Sequence, residues 1–309
     1  MNDIEAIQQL KKSDQYRVIQ RLIPAERYWQ GKPATSRIGI AIDTETTGLD
    51  VDKDKIIELG FIAFEYDAGS GLIYRILESY GGFEDPGEPL TAIVKQITGI
   101  SDDMVAGQHL DDDLITHWLQ KSDLVIAHNA AFDRRILERR LPVTCQTNWA
   151  CTFNDILWQD EDISSLKLDY IAYRLGFFFD GHRALNDAQA TLHLLTRALP
   201  CSGKLVMASL LARARSESRR FFAAGAPFEK KDELRARGYR WLSDFTHVTQ
   251  QGKKKRGVWS RSVSEAEIEA EQQWLTAAIY NGKPHLFTFR DATATDRYSI
   301  REFRFEQPG

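Results

Sequence analysis

Residues 38–43 read Ile-Gly-Ile-Ala-Ile-Asp and run directly into Thr44, Glu45, Thr46, Thr47, Gly48 and Leu49. A short, wholly apolar run of this kind predicts a strand buried on both faces. Side chains two apart in a strand share a face, so Asp43 and Glu45 project together from its end. Two carboxylates held side by side repel each other until a cation is placed between them. Hard oxygen donors suit Mg²⁺, which keeps several of its waters when bound. An Asp-x-Glu at a strand end also occurs as plain surface charge, so the pair needs company before it means chemistry.

Outward from this strand, residues 55–66 predict a second strand, and the glycines at 69 and 71 turn the chain into a third at 72–80. Three strands joined by short turns read as an antiparallel meander. The pattern then changes to a helix over 101–120, a short apolar strand at 124–127, and a helix over 132–139 that Pro142 ends. Helices at 166–175 and 184–198 follow. Strands first, then helices alternating with a single strand, imply an α/β fold with a mixed sheet flanked by helices.

The company for Asp43 and Glu45 comes from two further segments. His128-Asn129-Ala130-Ala131-Phe132-Asp133 follows the strand at 124–127 and puts Asp133 in the first turns of a helix. Asp180-Gly181-His182-Arg183-Ala184-Leu185-Asn186-Asp187-Ala188 opens the helix at 184–198, with His182 and Asp187 five residues apart. Each fragment alone is a weak pattern; together, in this order and after these elements, they are strong. His128, by contrast, reads better as a structural side chain.

DTETTG, HNAAFD and HRALNDA together resemble the three motifs of the DEDDh subgroup of DnaQ-like 3′-5′ exonucleases, a group that includes polymerase proofreading subunits. The resemblance runs over residues 37–200. It implies an RNase H-like mixed sheet with helices on both sides. It implies Asp43, Glu45, Asp133 and Asp187 as the metal-binding carboxylates, His182 as the general base, and two Mg²⁺ ions, with Mn²⁺ as a substitute. Two such ions clamp the attacking and leaving oxygens at phosphorus. A histidine titrating near neutral pH suits the removal of a proton from water. The implied products are nucleoside 5′-monophosphates and a strand shortened from its 3′ end, with DNA favoured over RNA. Thr44 to Leu49 are expected to cradle the terminal nucleotide, chiefly through Thr46, Gly48 and Leu49, with Leu49 as a wedge against the last base and Asn129 and Phe132 lining the site.

Composition sets the frame around these motifs. The chain has 309 residues, 43% hydrophobic and 27% charged, enough for a sizeable core and too balanced for disorder to dominate. No apolar run reaches the roughly 20 residues of a spanning helix, and the first residues do not form a secretory signal. Cys145, Cys151 and Cys201 have no metal-type spacing, so a reducing cytoplasm is the expected setting and no membrane partner is expected. The net charge of −4 hides a split. Residues 1–203 hold 20 Lys/Arg against 31 Asp/Glu, and residues 204–309 hold 20 against 13.

Residues 3–23 predict an amphipathic helix within an N-terminal extension at 1–36, and Pro200 marks the end of the exonuclease-like part at 37–200. Beyond it, 201–309 predicts a smaller α+β domain: a helix at 204–224, an irregular stretch at 225–262, a polar helix at 264–280 and two short strands. Aromatic residues interleave with 15 basic residues between 204 and 261. Lys and Arg neutralise phosphates and aromatic faces stack on unpaired bases, so this part is expected to meet nucleic acid, single-stranded or frayed at its 3′ end. KKDELRARGYRW (230–241) and KKKRGVW (253–259) resemble a small module of some DNA-processing enzymes. Three alternatives stay open: an RNA-trimming exonuclease, a proofreading subunit whose residues 201–309 bind a polymerase or another DNA-processing protein, and a non-catalytic binder on the same fold. All five catalytic positions hold the required residue types, which weighs against the binder.

Overall fold

The computed structural model describes residues 3–10, 12–215, 218–248 and 254–303. The chain divides into two compact units, Met1–Ala214 and Arg215–Gly309.

In the first unit the helix α1 (Asp3–Leu10) is followed by strands β1 (Gln20–Arg21), β2 (Ser36–Thr46), β3 (Ile56–Asp67) and β4 (Ile73–Phe83). Helices α2 (Ala92–Thr98), α3 (Asp102–Val105) and α4 (Asp112–Lys121) precede β5 (Leu124–Ala127), α5 (Ala130–Arg140) and β6 (Trp149–Cys151). Then come α6 (Leu168–Arg174), β7 (Phe177–Phe178), α7 (Ala184–Leu195) and α8 (Val206–Arg215).

Five strands form one sheet in the order β4-β3-β2-β5-β6. β2, β3 and β4 pair antiparallel, as the short turns predict, while β5 and β6 add parallel strands beside β2. This is the expected RNase H-like mixed sheet. β2 and β5 lie inside it, which is why their sequences are apolar with no alternation.

Both faces are covered. Phe64, Ile126, Ile171, Leu192, Leu195, Met207 and Leu210 belong to one core, so α6, α7 and α8 pack on one side. Ile57, Leu90, Val94, Ile100 and Val105 form a second cluster with α2 and α3. Because α8 buries Val206, Met207 and Leu210 in the first core, this unit continues past Pro200.

Several expected elements are shorter. The N-terminal helix stops at Leu10, and residues 20–21 instead pair with β7. Leu22 and Tyr28 pack against the sheet core, so the extension at 1–36 is mostly a non-helical strap. The helix at 101–120 is two helices, split where Gly107 takes a positive φ of 67°. α2 and β6 were not anticipated.

The second unit contains β8 (Ser218–Ala223), α9 (Lys231–Ala236), β9 (Arg240–Val248), β10 (Lys254–Ser264), α10 (Ile268–Trp274) and β11 (Thr288–Ala292). Its four strands form an antiparallel sheet in the order β11-β8-β10-β9. The expected helix at 204–224 is therefore a helix followed by a strand, and the described residues of the stretch at 225–262 are mostly in α9, β9 and β10. Phe221 and Phe222 are both buried from adjacent positions of β8, which demands an element covered on two faces. One terminal strand, β11, is present among the described residues, whereas Ile300–Phe303 is a 3₁₀ turn. Lys253 lies outside the described residues.

Glu271 of α10 is the polar centre of this unit. It is 1% exposed and accepts from Tyr239 Oη at 2.9 Å and Arg237 Nε at 3.2 Å, with Arg261 also bonded to it. Among the described residues, no helix of either unit is long and apolar enough to cross a membrane.

Candidate active site

β2 delivers Asp43 and Glu45 close to the end of its pairing with β3. Asp43 lies opposite Gly60 and Glu45 opposite Glu58, so all four positions share the sheet face that receives α7. Asp187 arrives from α7, and carboxylate oxygens of Asp43, Glu45 and Asp187 lie within 4.8 Å of one another.

Two glycines make this approach possible. Gly60 and Gly81 are register partners in β3 and β4. A Cβ on Gly60 would stand 2.2 Å from the backbone N of Leu185, and one on Gly81 would stand 3.2 Å from a Leu185 methyl. The start of α7 therefore lies directly on bare backbone. Asp187 is then held by the residue that caps its own helix: its Oδ2 accepts from the Arg183 N–H at 3.0 Å.

Asp133 stands in the first turn of α5, buried, and its Oδ1 accepts from Thr44 Oγ1 at 2.8 Å. It is not one of the three mutually close carboxylates, but its charge acts on Asp43. His182 sits on the exposed loop before α7 with φ of 62°, five residues before Asp187.

The electrostatics are those of acids crowded out of water. Burial first, then the charges of Asp133, Asp187, Glu45 and Glu58, hold the Asp43 carboxyl well above the usual carboxylate range. Glu45 is pushed up to about 8, again by burial ahead of Asp187, Glu58 and Asp133. Asp133 and Asp187 are raised by burial too, opposed by the Thr44 hydroxyl in one case and the Arg183 N–H in the other. Four carboxyls that resist ionising together suit a divalent cation, whose charge would relieve all of them. The donor set, oxygen throughout, fits a hard ion.

The loop after β2 is built around Asp54. Its carboxylate accepts from Thr47 Oγ1 at 2.8 Å and from the Asp50 N–H at 2.7 Å. It fills the space beside Gly48, where a Cβ would meet it at 2.6 Å. Thr46 is buried and donates to the Gly48 carbonyl. Leu49 is left 88% exposed at the loop's tip. Asn129 is exposed with φ of 132° at the N-cap of α5, and Phe132 is half-buried one turn on.

His128 is structural. Its Nε2 faces the Leu166 carbonyl at 2.8 Å and must donate to it, which leaves Nδ1 to accept from Thr152 Oγ1 at 2.8 Å. Burial holds it neutral, with its pKa lowered to about 4. Cys151 is buried, and burial pushes its thiol up to about 12, which makes it inert.

Asp54, Glu58 and Arg183 are contributors that the motifs do not announce, and Thr44, expected in the nucleotide cradle, instead bonds Asp133. Glu58 carried a signal: one carboxylate inside the apolar run Ile56–Phe64 must find a cation if the strand is buried.

A mixed RNase H-like sheet with acids converging from β2 and α7 defines the class: a nuclease of the hydrolase type. The profile of the exonuclease family RNase_T matches residues 40–195, about half of the sequence, and the chain belongs to this family of DnaQ-like 3′-5′ exonucleases. Among curated relatives, DNA polymerase III PolC-type of Thermotoga maritima is 27% identical over 195 residues, 61% of this chain and 14% of that protein. The PolC-type polymerase of Halalkalibacterium halodurans is 31% identical over 165 residues, 51% of this chain. The chain spans 14% and 11% of the length of these two relatives. Among solved structures, "Exonuclease X in complex with 5′ overhanging duplex DNA" is similar at 24% identity and a TM-score of 0.39, covering 57% of this chain and 92% of the other. "Exonuclease I (apo)" is similar at 12% identity and a TM-score of 0.42, covering 60% of this chain and 49% of the other.

Proposed function

We propose that this chain removes nucleotides from the 3′ end of single-stranded or frayed DNA, releasing nucleoside 5′-monophosphates. The observation that carries the reading is the meeting of Asp43, Glu45 and Asp187 within 4.8 Å, with the charge of Asp133 acting on Asp43 and His182 on the loop that leads into α7. The four carboxylates would hold two Mg²⁺ ions, with Mn²⁺ able to replace them. Ions bound there supply Lewis-acid charge to a phosphodiester and to the departing oxygen.

The chain's own residues do the rest. His182, on an exposed loop, takes the proton of the attacking water. Thr46, Gly48 and Leu49 seat the terminal nucleotide, and the Asp54-braced loop holds Leu49 out as the wedge. Asn129 and Phe132, at the start of α5, line the same site. The preference for DNA is supported by the PolC-type relatives, whose names are those of DNA polymerases. The same relatives support a polymerase context for the exonuclease part, and the basic, aromatic composition of residues 201–309 makes that part the proposed contact for a polymerase or other DNA-processing partner.

The second unit supports contact with nucleic acid. Trp241 is 52% exposed on the edge strand β9, and its ring lies over Gly257, where a Cβ would come within 2.1 Å of it. Trp259, its register partner, meets it edge-on at 5.5 Å, and Arg235 lies over Trp259 at 5.8 Å. An indole fixed in this way is ready to stack on a base without losing rotamer freedom.

The test uses 5′-labelled single-stranded DNA and RNA of one sequence, with Mg²⁺, Mn²⁺ or EDTA. A descending ladder that disappears with EDTA and with Asp43→Ala is expected, stronger on DNA. His182→Ala should slow it by about 10²–10⁴-fold, the usual scale for a general base. A His182→Ala rate equal to wild type removes His182 from that role, and no ladder on either strand removes the exonuclease reading itself.

A further inference from the structure

Glu58 is 4% exposed, and both its oxygens are committed to the start of α7. Oε1 accepts from Arg183 Nε at 3.2 Å and Nη2 at 2.9 Å, while Oε2 accepts from Nε at 3.2 Å and from the Ala184 N–H at 3.1 Å. The Arg183 guanidinium lies over the Phe83 ring at 5.4 Å. Arg183 also stands between His182 and Ala184, and its backbone N–H is the donor to Asp187. One residue thus joins three things: a buried carboxylate of β3, the first turn of α7, and the loop that carries His182.

Glu58 faces Glu45 across the β2–β3 ladder and could have been one more acid in the cluster. It is not among the three mutually close carboxylates, and its oxygens already hold donors. A buried carboxylate is tolerated only with a well-placed cation, and a planar guanidinium supplies charge and direction together.

We infer that Glu58 and Arg183 are positioning residues: their forked ion pair pins the start of α7 to β3 and sets where His182 and Asp187 stand relative to Asp43 and Glu45. The effect on rate rests on the exonuclease reading, whereas the effect on metal binding does not.

Full-length wild type, Arg183→Ala, Arg183→Lys and Glu58→Gln are to be compared in two ways. One is steady-state shortening of a labelled DNA strand, and the other is Mn²⁺ affinity from the paramagnetic resonance signal of the free ion. Loss of partners that orient metal ligands lowers activity or metal affinity by about 10–100-fold. That loss is expected in kcat for Arg183→Ala, with KM changed by less than about twofold, and a weakening of Mn²⁺ of at least about tenfold should accompany it. Added methylguanidinium should restore part of both in Arg183→Ala and nothing in Glu58→Gln. Arg183→Lys keeps the charge without the fork, so it should fall between and reports even where Arg183→Ala fails to fold.

The inference is overturned if kcat and Mn²⁺ affinity of both Arg183 variants stay within about twofold of wild type. It is also overturned if methylguanidinium restores neither and each loss only follows a fall in folded fraction. A wild type that cuts nothing sinks the exonuclease reading alone, and the Mn²⁺ comparison still judges the pair.

Discussion

At the scale of single residues, the acid cluster makes stability depend on pH. Unfolded carboxyls titrate near about 4. In the folded chain Asp43, Asp133 and Asp187 are raised, and Glu45 is pushed up to about 8. Between those limits the folded state binds more protons than the unfolded state, so stability falls as pH rises. The metal-free protein should therefore be most stable toward the acid end of that window and should lose melting temperature as pH climbs from about 5 to about 8. Thermal melts in EDTA across this range check it. Asp43→Asn should flatten the fall and raise the melting temperature at the alkaline end, while saturating Mg²⁺ should restore wild type by binding only the folded state. A flat profile in EDTA would mean that the four carboxyls are not crowded in solution.

At the scale of elements, the seat of α7 on β3 and β4 decides the site. Gly60→Ala should drive a methyl into the Leu185 backbone and lift the helix start. Overpacking of this kind destabilises by about 1–3 kcal/mol, and a backbone neighbour offers little room to relax. Activity should fall further than stability, because Asp187 and the His182 loop ride on the same turn. Denaturant melts beside the strand-shortening assay separate the two effects.

This seat also marks where sequence reading stops. Asp43 and Glu45 are legible because an apolar strand ends on an Asp-x-Glu, and alternation fixes their common face. Asp187 is legible only through its motif. Glu58 and Arg183 lie 125 residues apart and meet because the fold brings them together, so no local pattern announces the pair. Val18, Ile19 and Leu22 keep helical spacing and so extend the expected N-terminal helix, while residues 20–21 are claimed by pairing with β7. β8 is hidden in the sequence because residues 204–224 read as continuous helix, and two adjacent buried phenylalanines say strand only once both covers are known.

At the scale of the whole molecule, residues 1–203 and 204–309 carry opposite net charge, and the proposed nucleic-acid contact of the basic aromatic unit would be of two separable kinds. Removal of residues 215–309 should keep strand shortening but weaken DNA binding and flatten its dependence on salt, since fewer counterions are released. Trp241→Ala should also weaken binding, by about 1–3 kcal/mol if a base stacks there, yet leave the salt slope unchanged. Fluorescence anisotropy over a salt series distinguishes these, and an unchanged affinity for Trp241→Ala removes the stacking platform.

Among the described residues, Asn129, Asp162, His182, Asn281 and Tyr298 hold a positive φ without being glycine. Asn129, at φ of 132°, is the furthest into territory that only glycine occupies with ease. If the Asn129 side chain lines the site as proposed, backbone comfort and that contact pull the position in opposite directions. In a library of random variants sorted for survival of heat, glycine should rise at position 129. Sorted instead for strand shortening, the same library should return asparagine, and the divergence between the two lineages would record what its amide is kept for.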